Sequence, residues 1–294
     1  MKKISVIGIG RLGGALAIAL DKAGFELDQL VFRKGGLPPE LPGVTAAKGC
    51  VVRIDEIDRI DSDFVIIATP DGSIASAAES LAGKLSSQTV VLHTSGALSS
   101  EVLEPLRACG NPTGSIHPLV SVSDPTSGAT MFDGAYFCIE GSPEALAASA
   151  LITEKLGGIA FTVAAKQKPL YHAAASMASG HLVALLETCI ECLVKCGLER
   201  DFAKAMILPL VRSTVENFSS KDAEKALTGP FARADVETVK AHLDAFESGE
   251  LTEAPKIYLE LGGKALEIAE KSGIEGERAA ALRDLINIAK AKSR

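Results

Sequence analysis

The side chains able to move protons near neutral pH are five histidines, His93, His117, His172, His181 and His242. Two of them close apolar runs, in His93-Thr94-Ser95-Gly96 and His117-Pro118-Leu119. His172 and His181 lie in a long apolar stretch, and this placement brings up to four of the five toward one cleft. His242 follows Ala241 in a later amphipathic stretch, where a structural place is expected. His117 precedes the polar segment Ser121-Val122-Ser123-Asp124 and reads either as a group beside a substrate or as a strand-end cap. His172, Ser176 and Ser179 recur at four and three residues, one face of a helix that either looks into a cleft or packs on a neighbour. His181, nine residues beyond His172, falls on the opposite side of a straight helix, so His172 is the better catalytic candidate. Ser95 and Lys168 complete the catalytic set, with Lys168 either an anchor for a substrate carboxylate or a plain surface charge. Ser176, Arg233 and Asp235 are the substrate-binding candidates. The last two lie in a helix break, Gly229-Pro230-Phe231-Ala232-Arg233-Ala234-Asp235, where an arginine fork suits an anionic group and the aspartate orients it or caps the next helix.

A second constellation opens the chain. The β-branched run Ile4-Ser5-Val6-Ile7 leads into Gly8-Ile9-Gly10-Arg11-Leu12-Gly13 and then an apolar helix over 15–23. In such a turn Gly8 permits the tight reversal, Gly10 admits a diphosphate to the backbone, and Gly13 allows close helix–sheet packing. The free amides and dipole of the helix start favour phosphate, so Gly8, Gly10, Arg11, Leu12 and Gly13 are read as cofactor-binding. About twenty residues on, where an NAD-binding fold carries an acidic residue, the chain has Arg33 and Lys34. An arginine pairs with a 2′-phosphate, so NADP is expected before NAD, unless the two charges are merely solvated. Thr69, Pro70 and Thr94, at the ends of later strands, join the cofactor set.

These residues need elements to hold them. Strands are predicted over 27–32, 64–68, 88–93, 114–116, 136–140 and 160–163, with a helix over 143–156. Polar residues come at the carboxyl ends of three consecutive strands, Thr69-Pro70-Asp71, His93-Thr94-Ser95-Gly96 and His117-Pro118-Leu119, where an open α/β sheet binds ligands. From residue 166 the text turns helical, with helices expected over 169–196, 201–218, 234–246, 253–272 and 277–292. The expected fold class is therefore α/β, a doubly wound, mainly parallel Rossmann sheet in residues 1–164, followed by an all-helical C-terminal domain in 165–294.

Composition narrows the partners. A net charge of −7, from 30 Lys and Arg against 37 Asp and Glu, speaks against a nucleic-acid or anionic-membrane binder. No apolar run is read as approaching the roughly 20 residues that cross a bilayer, and Met1-Lys2-Lys3 leads straight into a strand, so a cytoplasmic protein with six reduced cysteines is expected. Cys189, Cys192 and Cys196 share a helix face, read as small core residues rather than a metal or redox site, and no metal is expected.

Taken as a set, Gly8-x-Gly10-Arg11-Leu12-Gly13, Ala68-Thr69-Pro70-Asp71, His93-Thr94-Ser95-Gly96, His117-Pro118-Leu119, Tyr171-His172-Ala173-Ala174-Ala175 and Gly229-Pro230-x-x-Arg233-x-Asp235 resemble a branch of Rossmann-like oxidoreductases whose helical C-terminal domain has no known function. That branch is similar to pyrroline-5-carboxylate reductase, ketopantoate reductase and prephenate dehydrogenase, with a C-terminal domain like that of 6-phosphogluconate dehydrogenase. The resemblance implies NADP-dependent hydride transfer to or from a small, carboxylate-bearing carbonyl or imine substrate between the domains, in a homodimer. It also implies a departure from the 3-hydroxyacid dehydrogenases, which carry a catalytic lysine with an asparagine four residues later; here Lys168 is followed at that spacing by His172. Ser179-Gly180-His181-Leu182 approximates the Ser-His-Leu of prephenate dehydrogenases. The missing Lys/Asn pair leaves room for a dinucleotide-binding sensor or scaffold without catalysis, and a hydride transfer between NADP and a deazaflavin stands third.

Overall fold

The structure is a computed structural model that describes residues 1–32, 41, 44, 51–274 and 276–292. By internal contact it divides into two units, Met1–Ser179 and Gly180–Arg294.

The first unit is built on eight strands: β1 Lys3–Ile7, β2 Glu26–Phe32, β3 Val51–Arg53, β4 Phe64–Ile67, β5 Val90–His93, β6 Thr113–Pro118, β7 Tyr136–Gly141 and β8 Ile159–Thr162. They form one sheet in the order β3-β2-β1-β4-β5-β6-β7-β8. Every adjacent pair is parallel except β6–β7. The order reverses at β1, between β2 and β4, which in an open α/β sheet is the ligand-binding crevice. Register fixes what lines that edge: Ile7 pairs with Ile67, Ile67 with His93, and His93 with Ser115. The residues that follow each of these emerge side by side.

Both faces of the sheet are covered, so its central strands are apolar throughout rather than alternating. Ile4, Val6, Ile66 and Leu92 face one core with helices α1 (Arg11–Lys22) and α5 (Pro143–Lys155). Ile7, Val65, Ile67 and Val91 face the other with α2 (Ile74–Leu81) and α3 (Glu104–Ala108). The short α4 (Pro125–Gly128), capped by Asp124 accepting from the Thr126 and Ser127 amides, brings Gly128 close to Ala15 of α1. Ser142 caps α5 by accepting from the Ala145 amide, with Pro143 in the first turn.

The division at Ser179 lies later than residue 164, because α6 (Lys168–Ser176) is fastened to the sheet: Lys168 is fully buried and Tyr171 stacks edge-on against Phe161 of β8. The single helix expected over 169–196 is interrupted by a π-turn at Met177–His181 before α7 (Leu182–Lys195). The helical run Ala165–Lys195 also corrects the reading that no apolar run is long enough to cross a bilayer. Its 31 residues, with an 18-residue window at mean hydropathy 1.5, meet that length and composition.

The second unit holds α7, α8 (Arg200–Ser220), α9 (Ala223–Ala226), α10 (Val236–Ser248), α11 (Ala254–Lys271) and α12 (Gly276–Lys292). Its core joins Phe231, Val239, Leu259, Leu266, Leu282 and Ile286. Gly262 is required there, since a Cβ would fall 2.3 Å from the Phe231 ring. By contrast α8 buries only Ala203 and leaves Phe202, Leu210, Val215 and Phe218 more than half exposed. The cysteine stripe is not core within this chain: Cys189 and Cys196 are exposed and Cys192 is half-buried.

Candidate functional site

A groove of about 600 Å³ runs over the carboxyl ends of β1, β2 and β4, lined by Gly8, Gly10, Phe32, Thr69, Pro70 and the serines of α2 among others. Gly8 takes φ +91°, a conformation that L side chains rarely adopt, and a Cβ there would meet Thr69 at 2.8 Å. At Gly13 a Cβ would lie 2.0 Å from the Gly8 carbonyl oxygen and 3.1 Å from the Ala68 methyl, so only glycine lets α1 start this close to the sheet. Gly10 is different. A Cβ there meets nothing within 4 Å and would project into open space. Gly10 is also the N-cap of α1 and offers no side-chain acceptor, and no acidic residue lies in the first turn. The amides of Arg11, Leu12 and Gly13 are thus left for an external anion. Thr69 Oγ1, beside Gly8, is buried without a hydrogen-bond partner. A diphosphate fits this cradle on all three counts. Arg33 and Lys34 lie outside the described residues.

Next along the edge is the loop from the end of β5 to Ser100, wired from several directions. His93 is fully buried; its Nδ1 accepts from the Ser95 amide at 3.1 Å, which leaves Nε2 to donate to the Ser99 carbonyl at 3.1 Å. Burial, with the Lys168 charge second, pushes its pKa down to about 4. Ser95 Oγ donates to Asp71 Oδ2 at 2.9 Å and accepts from the Ala97 and Leu98 amides at 3.2 and 3.0 Å. Thr94 is buried, its amide donating to the Ile67 carbonyl. Lys168 Nζ donates to Ser115 Oγ at 2.8 Å and towards the Ser95 carbonyl at 3.4 Å. Ser95 Oγ thus has its proton and both acceptor positions engaged, and Lys168, fully buried with two of its three protons placed, is not the surface charge expected; both hold the loop.

The loop's tip, Gly96, is where the histidines meet. A Cβ at Gly96 would come within 2.6 Å of His172 Cδ2 and 2.8 Å of His117 Nε2. The two imidazoles stand edge to face with centroids 5.6 Å apart. His117 Nδ1 shares a 2.8 Å hydrogen bond with the Tyr171 hydroxyl. Burial, then the His172 and Lys168 charges, pushes the His117 pKa down to about 4, so at neutral pH the ring carries no charge. Burial also raises the Tyr171 pKa, keeping the phenol protonated. Both rings open onto a pocket of about 520 Å³, with Ser121, Ser176 and Ser179 on its wall.

The structure thus brings together His117, His172, Ser176 and Ser179 as their spacing requires. It does not gather all four histidines: His93 sits behind the loop, and His181 is an exposed residue of the second unit. His242 shares a 2.7 Å hydrogen bond with the Tyr258 hydroxyl, the structural place expected of it. Arg233 and Asp235 belong to the second unit, where they line a hollow of about 370 Å³ with Arg278. Asp235 caps α10 through the Thr238 amide and hydroxyl, at 3.1 and 2.8 Å. Three residues of the site went unassigned from sequence: Gly96, Tyr171 and Asp71. Asp71 follows a strand end, and Gly96 follows a serine in a strand-end loop, which is the signal available for each. Tyr171 stands in the motif Tyr171-His172-Ala173-Ala174-Ala175 without a role, because residues one apart on a helix diverge.

With this geometry in view, the comparisons agree. Residues 1–118 match a Rossmann-like domain, and residues 135–265 match a domain of unknown function, DUF2520. No curated protein matches the sequence. Among solved structures, a Bacteroides fragilis protein named for a proposed NADP oxidoreductase activity is 22% identical, with TM-score 0.74 over 90% of this chain and 98% of that one. A Thermotoga maritima protein is 25% identical, with TM-score 0.70 over 92% and 99%. Pyrroline carboxylate reductase from Plasmodium falciparum, solved with NADP bound, is 16% identical, with TM-score 0.58 over 100% and 98%. Likeness at these identities establishes the fold; the chemistry has to come from the site.

Proposed function

We propose that this chain is an NADP-dependent oxidoreductase that transfers hydride between the dinucleotide and a small carbonyl or imine compound held beside His117 and His172. The observation that carries the reading is the run of the edge itself. One line of strand ends leads from an uncapped helix start with glycine at its cap, past Thr69 and Pro70, to two imidazoles that share a pocket.

The amides of Arg11, Leu12 and Gly13 bind the diphosphate, and Arg33 with Lys34 takes the 2′-phosphate that separates NADP from NAD. Thr69, Pro70 and Thr94 direct the rest of the cofactor toward Gly96. A bound reduced nicotinamide would supply the hydride, and the protein's part is orientation and proton supply. With the Tyr171 O–H donating to Nδ1, His117 carries its proton on Nε2, the atom that faces Gly96. A neutral N–H of this kind polarises a carbonyl oxygen and delivers the proton that balances the reduction, as a neutral histidine does in other enzymes. Tyr171 keeps its own proton and fixes the ring through Nδ1, and His117 Nε2 regains its proton from solvent in the pocket. Ser176 and Ser121 orient the substrate's polar groups.

The exposed apolar face of α8 is large enough to call for a partner, and a second copy of the chain is the natural cover. A homodimer in the cytoplasm belongs to this proposal. The deciding experiment is fluorescence titration of the purified protein with NADPH and NADH. NADPH binding stronger than NADH supports the reading, and binding of neither ends it.

A further inference from the structure

We propose that Lys168 is a positioning residue: a buried cation that fastens α6, and with it Tyr171 and His172, to the ends of β5 and β6 so that the two imidazoles meet over Gly96. The role rests on the oxidoreductase reading for its purpose, though not for its geometry.

Lysine is seldom fully buried, because its charge must leave water, and where it is buried it needs partners. Lys168 has them on the sheet side. Its ammonium donates to Ser115 Oγ at 2.8 Å and toward the Ser95 carbonyl at 3.4 Å. Ser115 Oγ in turn leans on Glu140 Oε2 at 3.4 Å, and Glu140 holds the Ser100 amide and hydroxyl at 2.9 and 2.7 Å. The lysine and the glutamate are thus a serine-bridged pair that grips the 95–100 loop at both ends. One end is the carbonyl next to Gly96; the other is the amide of Ser100. The titratable groups whose charges bear on Lys168 are Asp71, Cys138, Glu140, His93 and His117, from β4–α2, β7, β5 and β6. Three and four residues along α6 stand Tyr171 and His172, so a cation anchored at the head of the helix sets the height of both rings.

Alignment alone does not require a charge here. A methionine would fill the space, but it would release the Ser95 carbonyl and leave Glu140 unbalanced. The lysine therefore also contributes its field: it opposes protonation of His93 and His117, the two imidazoles on either side of the loop.

The test uses the full-length protein and histidine Cε1–H NMR titrations, with NADPH binding followed in parallel. The double variant Lys168→Met/Glu140→Gln removes both charges of the buried pair, leaving no uncompensated ion. Its His117 midpoint is expected to rise, by less than the roughly one pH unit of a single removed charge, because the opposing Glu140 charge leaves with it. Its His117 and His172 resonances lose their mutual ring-current shift, while NADPH affinity stays within about twofold, since the diphosphate cradle lies elsewhere. Ser115→Ala keeps both charges and breaks only the bridge; a displaced His172 resonance with a near-native His117 midpoint is expected. An unmoved His117 midpoint in the double variant, or unmoved resonances in Ser115→Ala, overturns the proposal. If the native protein binds no dinucleotide while the histidines respond as stated, the oxidoreductase reading falls and the positioning role stands.

Discussion

Acid should destabilise the first unit well before its carboxylates titrate, and His93 allows the size of the effect to be worked out. The ring is fully buried, and its pKa is pushed down from 6.5 to about 4. Because the folded value lies below the unfolded one, the unfolded chain takes up the proton first. The contribution of neutral His93 is therefore complete above pH 6.5 and is lost as pH falls from there through about 4. Two-state linkage gives a loss of about 2 kcal/mol near pH 5 and about 3 kcal/mol near pH 4. His117 moves in the same direction over the same window, with a smaller share because its ring opens onto the pocket. The assay is urea unfolding followed on the first unit at neutral pH and near pH 5, for the native protein and His93→Gln. Glutamine offers a donor and an acceptor and has no proton to gain, so the variant's pH dependence should be shallower by about 2 kcal/mol, whatever its absolute stability. Equal pH dependence in the two proteins, or a His93 Cε1–H resonance titrating near 6.5, would refute the reasoning.

Gly10 and Gly13 should separate binding from folding. Gly10→Val points into open space and is expected to leave the melting temperature unchanged while weakening NADPH binding at least about tenfold, whereas Gly13→Ala forces a methyl onto the Gly8 carbonyl and should cost about 1–3 kcal/mol in urea unfolding. Gly96→Ala must push both imidazoles aside, so NADPH binding should persist while turnover of any accepted substrate falls by about a hundredfold. Light scattering should give twice the 30.5 kDa chain mass, and Phe202→Glu with Leu210→Glu on α8 should halve it; a monomeric native protein would remove the dimer from the proposal.

How much of this was legible in the sequence follows from the range of the forces involved. The glycine turn and the alternation of apolar strands with helices are local, and so they read directly: β1, β4, β5 and β6 lie where their apolar runs predict, β1 ending in the glycine turn and the other three in the polar segments expected. The short β3 did not stand out, because three residues carry no period. The helix over 169–196 looked continuous because a π-turn needs no proline or glycine break; Gly180 lies within it with a Cβ position open on all sides. Cys189 and Cys196 were misplaced for a different reason. An apolar helix face implies burial against something, and the sequence does not say whether that something is in the same chain.

The site shows the same limit more sharply. Residue type and spacing named His117 and His172, while His181 lies in the second unit at the end of a π-turn that straight-helix geometry does not foresee. Spacing could not distinguish a histidine that opens onto a pocket from one that holds a loop, and His93 and His117 carry almost the same local signature, each closing a strand. What separates them is register. His93 pairs with Ile67 inside the ladder, one residue before the edge, whereas His117 lies two residues beyond Ser115, the partner of His93. Those two residues carry the ring past the packed interior to the rim where Gly96 leaves it room. The lysine is the converse case: an exposed-looking charge before a proline proves to be the most buried ionisable side chain of α6, because Ser115 and Glu140, far off in sequence, are waiting beneath it. A buried charge is costly without such partners, so its partners are as much a part of the site as the rings it holds in place.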